Sequence, residues 1–275
     1  MTRIALFQAT AGIDPAANAA ALTKAIAEAA EGGAEMLFTP EMTGLLDRDS
    51  ERAAKVLRSQ DEDEVLAAAR ESAAQHHMWV HIGSLAVLAD NGKVANRSFV
   101  IDREGKVRGS YDKIHLFDVD LPTGESWRES NTYSPGTGVT LVNGTPVGKI
   151  GLTICYDLRF PGLFARLAES DADVIVVPAA FTVPTGKAHW HILLRARAIE
   201  AGLFIVAAAQ VGHHEDGRNT FGHSLVIDPW GEVLLDMGEE RGVGFADIDL
   251  KRISDVRSRI PALNHRRPIP DAVTL

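Results

Sequence analysis

The chain has 275 residues, 45% hydrophobic and 24% charged, with 28 Lys and Arg against 37 Asp and Glu, a formal net charge of −9. That balance leaves no cationic footprint for nucleic acid or an anionic membrane surface, and no stretch reaches the roughly 18 apolar residues of a membrane span. A single cysteine, Cys155, cannot close a disulfide within the chain, which suits a reducing cytoplasm and argues against a secreted, stapled design, and the N-terminus lacks the apolar core of a signal peptide. The length fits one large α/β domain over 1–275 better than two.

In chain order, RIALFQA (3–9) reads as a buried strand. Residues 15–31 read as a helix, with Asp14 at the N-cap, Pro15 in the first turn and Gly32 past the end. AEMLFTPE (34–41) is a second strand, whose last residues fall where a strand hands over to a loop. A helix over 61–77 opens with the acidic run DEDE, as the macrodipole favours. WVHIGSLAVL and KVANRSFVID flank Asn91-Gly92, a strong hairpin signal. Residues 117–138 are rich in Pro, Gly, Ser and charge and read as a long loop, a kind of segment that is usually functional. The second half repeats the logic: strand VGKIGLTIC, helix 161–170, strand DVIVVPAAF, helix AHWHILLRARAIEAG, strand LFIVAAAQ. A hairpin follows in FGHSLVIDPWGEVLLD, turning at Pro229-Trp230-Gly231. GVGFADIDL is a last strand before a short helix. The basic HRRP at 265–268 beside a Pro-rich end reads as a solvated tail or a docking segment.

Three places carry chemistry. Cys155 ends an apolar run and meets Tyr156, Asp157 and Arg159 in GLTICYDLRFPG. Such a residue is either a small buried hydrophobe or a nucleophile at the carboxyl end of a strand, where α/β folds place their sites and a helix N-terminus favours the thiolate. A nucleophilic thiol needs a base or a cation, and five histidines downstream (His189, His191, His213, His214, His223) keep a Cys–His pair open. Glu41, in FTPEMTG, sits at a strand end; it is a solvent-facing loop carboxylate or a site residue. Lys113, in YDKIHLFD, lies in a strand-like stretch where an ammonium needs a partner unless it guards an edge strand. Metal binding has weak support: His189 and His191 stand two apart and do not share a helix face, and HExxH is absent. Phosphate-loop, dinucleotide and serine-hydrolase motifs are absent too.

The ordered series FTPE, YDKIHLFD and GLTICYDLRFPG, set between IALFQ at 4–8 and NHRRP at 264–268, resembles the carbon–nitrogen hydrolase (nitrilase) superfamily. The resemblance implies an α/β fold, a four-layer α-β-β-α sandwich, commonly paired as a homodimer. It implies a Glu–Lys–Cys triad: Glu41 as general base, Lys113 as cation, Cys155 as nucleophile. A second family glutamate matches Glu129, in WRESNTYSPG, better than Glu125. Backbone N–H of Tyr156, next after the nucleophile, is the expected oxyanion donor with Lys113. The chemistry so implied passes through a thioester on Cys155, releases ammonia from a primary amide, and needs no metal or organic cofactor. The segment from TGKAHW to VIDPWG resembles the Nit branch, which hydrolyses deaminated glutathione, a metabolite-repair activity; ω-amidase on α-ketoglutaramate is the near alternative, then a carbamoylase or a nitrilase acting on C≡N. A non-catalytic scaffold of the same fold is the reading from another class. An acidic substrate needs a pocket cation, and Arg159 is the candidate, its other reading being an ion pair with Asp157. Phe181 and Thr182, at another strand's end, are expected to line the pocket. Trp190 is expected to anchor its helix in the core, and Asp228, Pro229 and Trp230 to shape a turn.

Overall fold

A computed structural model describes residues 1–89, 92–120, 124 and 126–274; Asn91 of the expected hairpin and Glu125 lie outside them. The first half runs β1 (Thr2–Gln8), α1 (Pro15–Glu31), β2 (Met36–Phe38), α2 (Ser50–Val56), α3 (Glu64–His76), β3 (Trp79–Leu88), β4 (Val94–Ile101), β5 (Val107–Asp112), then a small hairpin, β6 (Asp118–Asp120) and β7 (Ser126–Arg128). The second half runs β8 (Leu141–Thr145), β9 (Gly148–Leu152), α4 (Pro161–Glu169), β10 (Val174–Val176), α5 (Val183–Ala201), β11 (Phe204–Ala207), β12 (Val211–His213), β13 (Asn219–Phe221), β14 (Leu225–Ile227), β15 (Val233–Asp236), β16 (Gly242–Ile248) and α6 (Lys251–Arg259).

Two six-stranded sheets result, in the orders β16-β1-β2-β3-β4-β5 and β15-β14-β11-β10-β9-β8. Each carries three parallel central strands, β1-β2-β3 and β9-β10-β11, flanked by antiparallel ones. Buried on both faces, the parallel strands read as near-continuous apolar runs. Their alternation sorts the layers. Ile4, Leu6, Met36 and Phe38 join the core shared with the second sheet, while Ala5, Leu37, Val80 and Ile82 face the apolar stripes of α1 and α3. On the other side, Leu163, Leu167, Trp190 and Leu194 of α4 and α5 cover the second sheet. The four layers are therefore helix, sheet, sheet, helix, the sandwich expected from the resemblance.

The helix ends follow local rules. Asp14 accepts from Ala16 N ahead of Pro15, and α5 ends at Gly202 in the left-handed region, φ 57°. Besides β8 and the β12–β13 pair, which the sequence reading did not include, three elements differ from it. The helix α2 was not visible because none of its seven residues is buried, so it shows no apolar period. The 117–138 stretch contains the β6–β7 hairpin. Lys113 stands just past the end of β5 rather than inside a strand.

The carboxyl ends of β1, β2, β9, β10 and β11 converge where the two sheets meet. Short bridges, Ala9 with Gln210 and Ala179 with Ala209, tie the strand extensions together. Two fully buried glutamines complete the seam. Gln8 donates to Gly238 O (2.9 Å) and Glu240 O (2.8 Å) and accepts from Ser224 N and Oγ (both 2.7 Å), so its hydrogen-bonding capacity is filled. Gln210 donates to Glu41 O and accepts from Ala11 N, both at 3.0 Å.

Gly83, in β3, lies against this seam; a Cβ there would overlap the carbonyl oxygens of Thr39 and Pro40 and the ring of Pro178. Gly83→Ala is expected to lower stability by about 1–3 kcal/mol, seen as a shifted urea midpoint at unchanged slope, because those neighbours are backbone and ring atoms with little room to move.

Candidate active site

Glu41 leaves the end of β2, Lys113 the end of β5, and Cys155 follows β9, so three separate segments meet at the seam. The Glu41 carboxylate is 5% exposed. Its Oε1 accepts from Lys113 Nζ (2.9 Å) and Asn96 Nδ2 (3.0 Å), and its Oε2 from Ala180 N (3.0 Å). The Lys113 ammonium also reaches both oxygens of Glu129, at 3.1 and 2.9 Å. Glu129 is fixed in turn by Phe117 N (2.6 Å) and Asn96 Nδ2 (3.1 Å). One buried cation thus sits between a buried carboxylate, Glu41, and a partly buried one, Glu129. The Cys155 thiol lies beside the Glu41 carboxylate and the Ala180 N–H, close enough for each to act on its titration.

The electrostatics have definite signs. Burial alone would raise the Glu41 carboxyl, but the Lys113 ammonium and the hydrogen bonds of Lys113, Cys155 and Asn96 hold it below its ordinary value. Burial alone would depress Lys113, but Glu129 and Glu41 lift it well above the ordinary range. Burial, then the adjacent Glu41 carboxylate, push the Cys155 thiol well above its ordinary range, and Lys113 offsets only part of this. The sequence argument for a thiolate favoured by a helix N-terminus is therefore corrected. Cys155 opens a five-residue 3-10 turn, Cys155–Arg159, and α4 begins only at Pro161. The resting Cys155 side chain is therefore a neutral thiol beside an ionised carboxylate.

The backbone at Cys155 is left-handed, φ 44°, a conformation uncommon for a residue with a Cβ. Asp157, fully buried, holds it. Its Oδ2 accepts from Ile154 N (2.9 Å) and Tyr111 Oη (2.7 Å), and its Oδ1 from His115 N (3.1 Å) and Nδ1 (2.6 Å). Cys155 N donates to Pro178 O at 2.8 Å. Sequence reasoning missed Asp157, Asn96, Tyr111 and His115. The available signal was a polar residue inside an apolar strand (Asn96 in VANRSFVI) and an acid two residues past the cysteine.

Arg159 makes no ion pair with Asp157, whose oxygens are taken. Among the described residues no carboxylate pairs with it. Its guanidinium lies 5.4 Å over the Phe181 ring and 6.0 Å from the Tyr156 ring, with Nη1 3.3 Å from His189 Nδ1. Phe181 is buried and packs on Trp190 (centroids 4.9 Å), which is fully buried and donates to His223 O. Thr182 caps α5, its hydroxyl on Thr185 Oγ1 at 2.7 Å. The Tyr156 ring packs edge-on to Phe117 (5.1 Å) and Phe160 (5.3 Å). Asp228 shapes its turn through Trp230 N and Glu232 N.

One group among the described residues could hold a metal: His191, His223 and Asp236, with ligand atoms within 4.8 Å of one another. Both histidines instead meet the Asp236 carboxylate at 2.9 Å. His189 points elsewhere, to Arg159, so the pair two apart in sequence is divided between two faces. Among the described residues no helix is long and apolar enough to cross a membrane.

Residues 3–258 match the carbon–nitrogen hydrolase family model. The chain is 37% identical over 273 residues to the deaminated glutathione amidase of Yersinia enterocolitica, covering 98% of this chain and 94% of that protein. It is 38% identical over 272 residues to the deaminated glutathione amidase of Bos taurus, covering 96% and 82%. Among solved structures, the C. elegans NitFhit protein superposes with a TM-score of 0.89 at 37% identity over 97% of this chain, which spans 65% of that longer one. Saccharomyces cerevisiae Nit3, a member of branch 10 of the nitrilase superfamily, gives 0.86 at 27% identity over 97% and 96%. An amidase from Nesterenkonia sp. AN1, seen as a glutamate-to-glutamine mutant with acrylamide added at its active-site cysteine, gives 0.79 at 28% identity over 95% and 98%.

The neutral resting thiol is testable, since Cys155 is the only cysteine. Ultraviolet thiolate absorbance, read as the difference between the protein and Cys155→Ser, is expected to rise only above pH 9.0, the ordinary value from which the thiol is shifted upward. Glu41→Gln removes the adjacent negative charge and moves that rise to lower pH; a thiolate signal already complete at neutral pH in the unaltered protein contradicts the assignment.

Proposed function

This chain belongs to the carbon–nitrogen hydrolase family, and we propose that it hydrolyses the ω-amide of small keto acids, with deaminated glutathione as its preferred substrate class, through Glu41, Lys113 and Cys155 with Glu129 in support. The observation that carries this is the buried thiol of Cys155 set beside a buried carboxylate, Glu41, that is itself ion-paired at 2.9 Å to the buried Lys113 ammonium. That arrangement supplies a nucleophile, a proton acceptor and a fixed positive charge within one contact of each other.

As Sγ attacks the amide carbon, its proton passes to Glu41. The oxyanion forms between the Lys113 ammonium and the N–H of Tyr156, which stands in the first turn after the nucleophile. Glu41 returns the proton to the amide nitrogen, the C–N bond breaks, and the acyl group remains on Cys155 as a thioester. Water then attacks; Glu41 takes its proton and delivers it to Sγ as the thioester breaks. Glu129 holds Lys113 in place throughout. With α-ketoglutaramate the departing group is ammonia. In deaminated glutathione the ω-amide nitrogen belongs to the cysteinyl residue, so the amine released is cysteinylglycine, and both reactions deliver 2-oxoglutarate. Arg159, with no carboxylate partner among the described residues and flanked by Tyr156 and Phe181, is read as the cation for the keto-acid carboxylate. Thr182 closes the same wall.

We read residues 1–275 as a single domain acting as a cytoplasmic homodimer. Supporting the pairing, Ile192 and Ile199 stand seven apart on one face of α5, 71% and 52% exposed, beside Trp230 at 52%. Gly231 packs against Ile199, which brings that turn to the same face. Light scattering on the purified protein tests the dimer, and Ile192→Glu is expected to shift it toward monomer.

Enzyme-coupled detection of 2-oxoglutarate gives kcat/KM for both substrates. Deaminated glutathione is expected to lead by about tenfold, or 1.4 kcal/mol of transition-state preference. Cys155→Ala and Lys113→Met are expected to lose about a thousandfold or more in kcat. Arg159→Gln raises KM about tenfold with the smaller effect on kcat, as removal of a charged hydrogen bond to bound substrate does. Equal activity in Cys155→Ala sinks the mechanism, and a lead for α-ketoglutaramate moves the substrate to the free ω-amide.

A further inference from the structure

Beyond the seam, a second cationic group sits at the rim. Trp127, in β7, is half-buried, and two guanidiniums lie over its indole: Arg48 at 5.2 Å and Arg218 at 5.1 Å. They come from opposite halves of the sequence, one from the loop after Glu41, the other from the β12–β13 turn. Arg48 is exposed, and among the described residues no carboxylate pairs with it. Arg218 is 18% exposed and anchored by one nitrogen, Nε, on the buried Asp216 at 2.6 Å. The indole nitrogen of Trp127 is buried and has no hydrogen-bond partner among the described residues.

This rim is continuous with the reacting centre. Trp127 packs on Phe117 (6.4 Å), Phe117 on Tyr156 (5.1 Å), and Tyr156 adjoins the nucleophile. Trp127 also lies two residues before Glu129. Tyr133 sits between the two places. Burial raises its hydroxyl, Glu129 and Glu41 add to this, and the positive charges of Arg218 and Lys113 oppose it, so Arg218 acts on the same ground as the triad. The site itself holds two carboxylates against one ammonium, an excess of negative charge that repels an anionic substrate. An anion binds there only if cations at the periphery receive its charges. Arg159 provides for one carboxylate. A substrate whose leaving amine carries a second one needs another receiver on the open side.

We infer that Arg48 and Arg218, braced on Trp127, form a subsite for a carboxylate on the leaving group, which makes this protein a hydrolase of N-acyl peptides with a free C-terminus rather than of simple primary amides. The inference rests on the amidase reading above and specifies its substrate. Planar guanidiniums suit this task because each offers paired donors to a carboxylate while its face stays on the ring. Both groups are pre-positioned by the indole, so little side-chain freedom is lost when the anion arrives.

The test compares deaminated glutathione with the same molecule ending in a glycine carboxamide, so that only the distal charge differs. In the unaltered protein the acid is expected to exceed the carboxamide by about tenfold in kcat/KM, mainly through KM. In Arg48→Gln, and in Arg218→Gln once its melting temperature shows it folded, that ratio falls to within about twofold of one. Arg48→Glu, at an exposed position, reverses it. The preference also weakens as salt rises, the sign of an ion contact at the rim. A ratio unchanged in Arg48→Gln and Arg48→Glu overturns the subsite while the amidase reading stands. Failure of the unaltered protein to hydrolyse either compound overturns both.

Discussion

The structure depends on one buried ammonium. Lys113 is 2% exposed, and an ammonium taken that far from water is tolerated only when paired and fully hydrogen-bonded. Its partners cannot come from its own segment. Glu41 arrives from the end of β2 and Glu129 from the turn after β7. Each carboxylate then needs its own donors, which Asn96, Phe117 N and Ala180 N supply. Satisfying one charge thus fixes the relative positions of β2, β4, β5 and the extension of β10. A hydrophobic seam would hold the sheets together as well, but it would not specify one register and one set of distances.

The same charge balance explains the state of the nucleophile. A thiol beside a carboxylate, in a buried place, keeps its proton. In the mechanism proposed above, the proton moves to Glu41 when an electrophilic carbon arrives and Lys113 turns from balancing Glu41 to facing the oxyanion. The left-handed turn at Cys155 is a conformation the chain would not choose alone, and Asp157 with its four donors holds it. The same excess of negative charge is the reason the proposed anion-receiving arginines stand at the edge of the site and not beside the sulfur.

The two sheets share one pairing plan: an antiparallel edge, three parallel strands, then two antiparallel strands. The first sheet borrows its edge from the far end of the chain, β16, paired with β1 from Thr2 against Ile248 to Gln8 against Gly242. In each sheet the parallel trio brings its carboxyl ends to the same side, and facing the sheets places those two sets of ends together. Gln8 and Gln210 close the junction with side chains alone, at the ends of RIALFQ and FIVAAAQ.

Much of this was legible in the sequence. The apolar strands, the capped helices and the three strand-end motifs are local signals, because strand period, cap chemistry and strand-to-loop changes need only neighbouring residues. Three of the residues proposed to carry the chemistry stood out for that reason: an acid and a thiol at the ends of apolar runs, and an ammonium in a strand-like stretch. The surface helix α2, with no buried face, left no such trace. Asn96 looked like any polar residue on a sheet, and His191, His223 and Asp236 had no spacing in common. The sequence by itself determined which groups were available and that burying them would require pairing. Only the tertiary structure decided that Lys113 is shared by two carboxylates, that the thiol rests neutral, that Asp157 serves the turn instead of Arg159, and that Arg48 and Arg218 meet on Trp127. Each of these is a Coulomb or hydrogen-bond relation between groups far apart in the chain, and its sign depends on distance and burial, which no linear spacing contains.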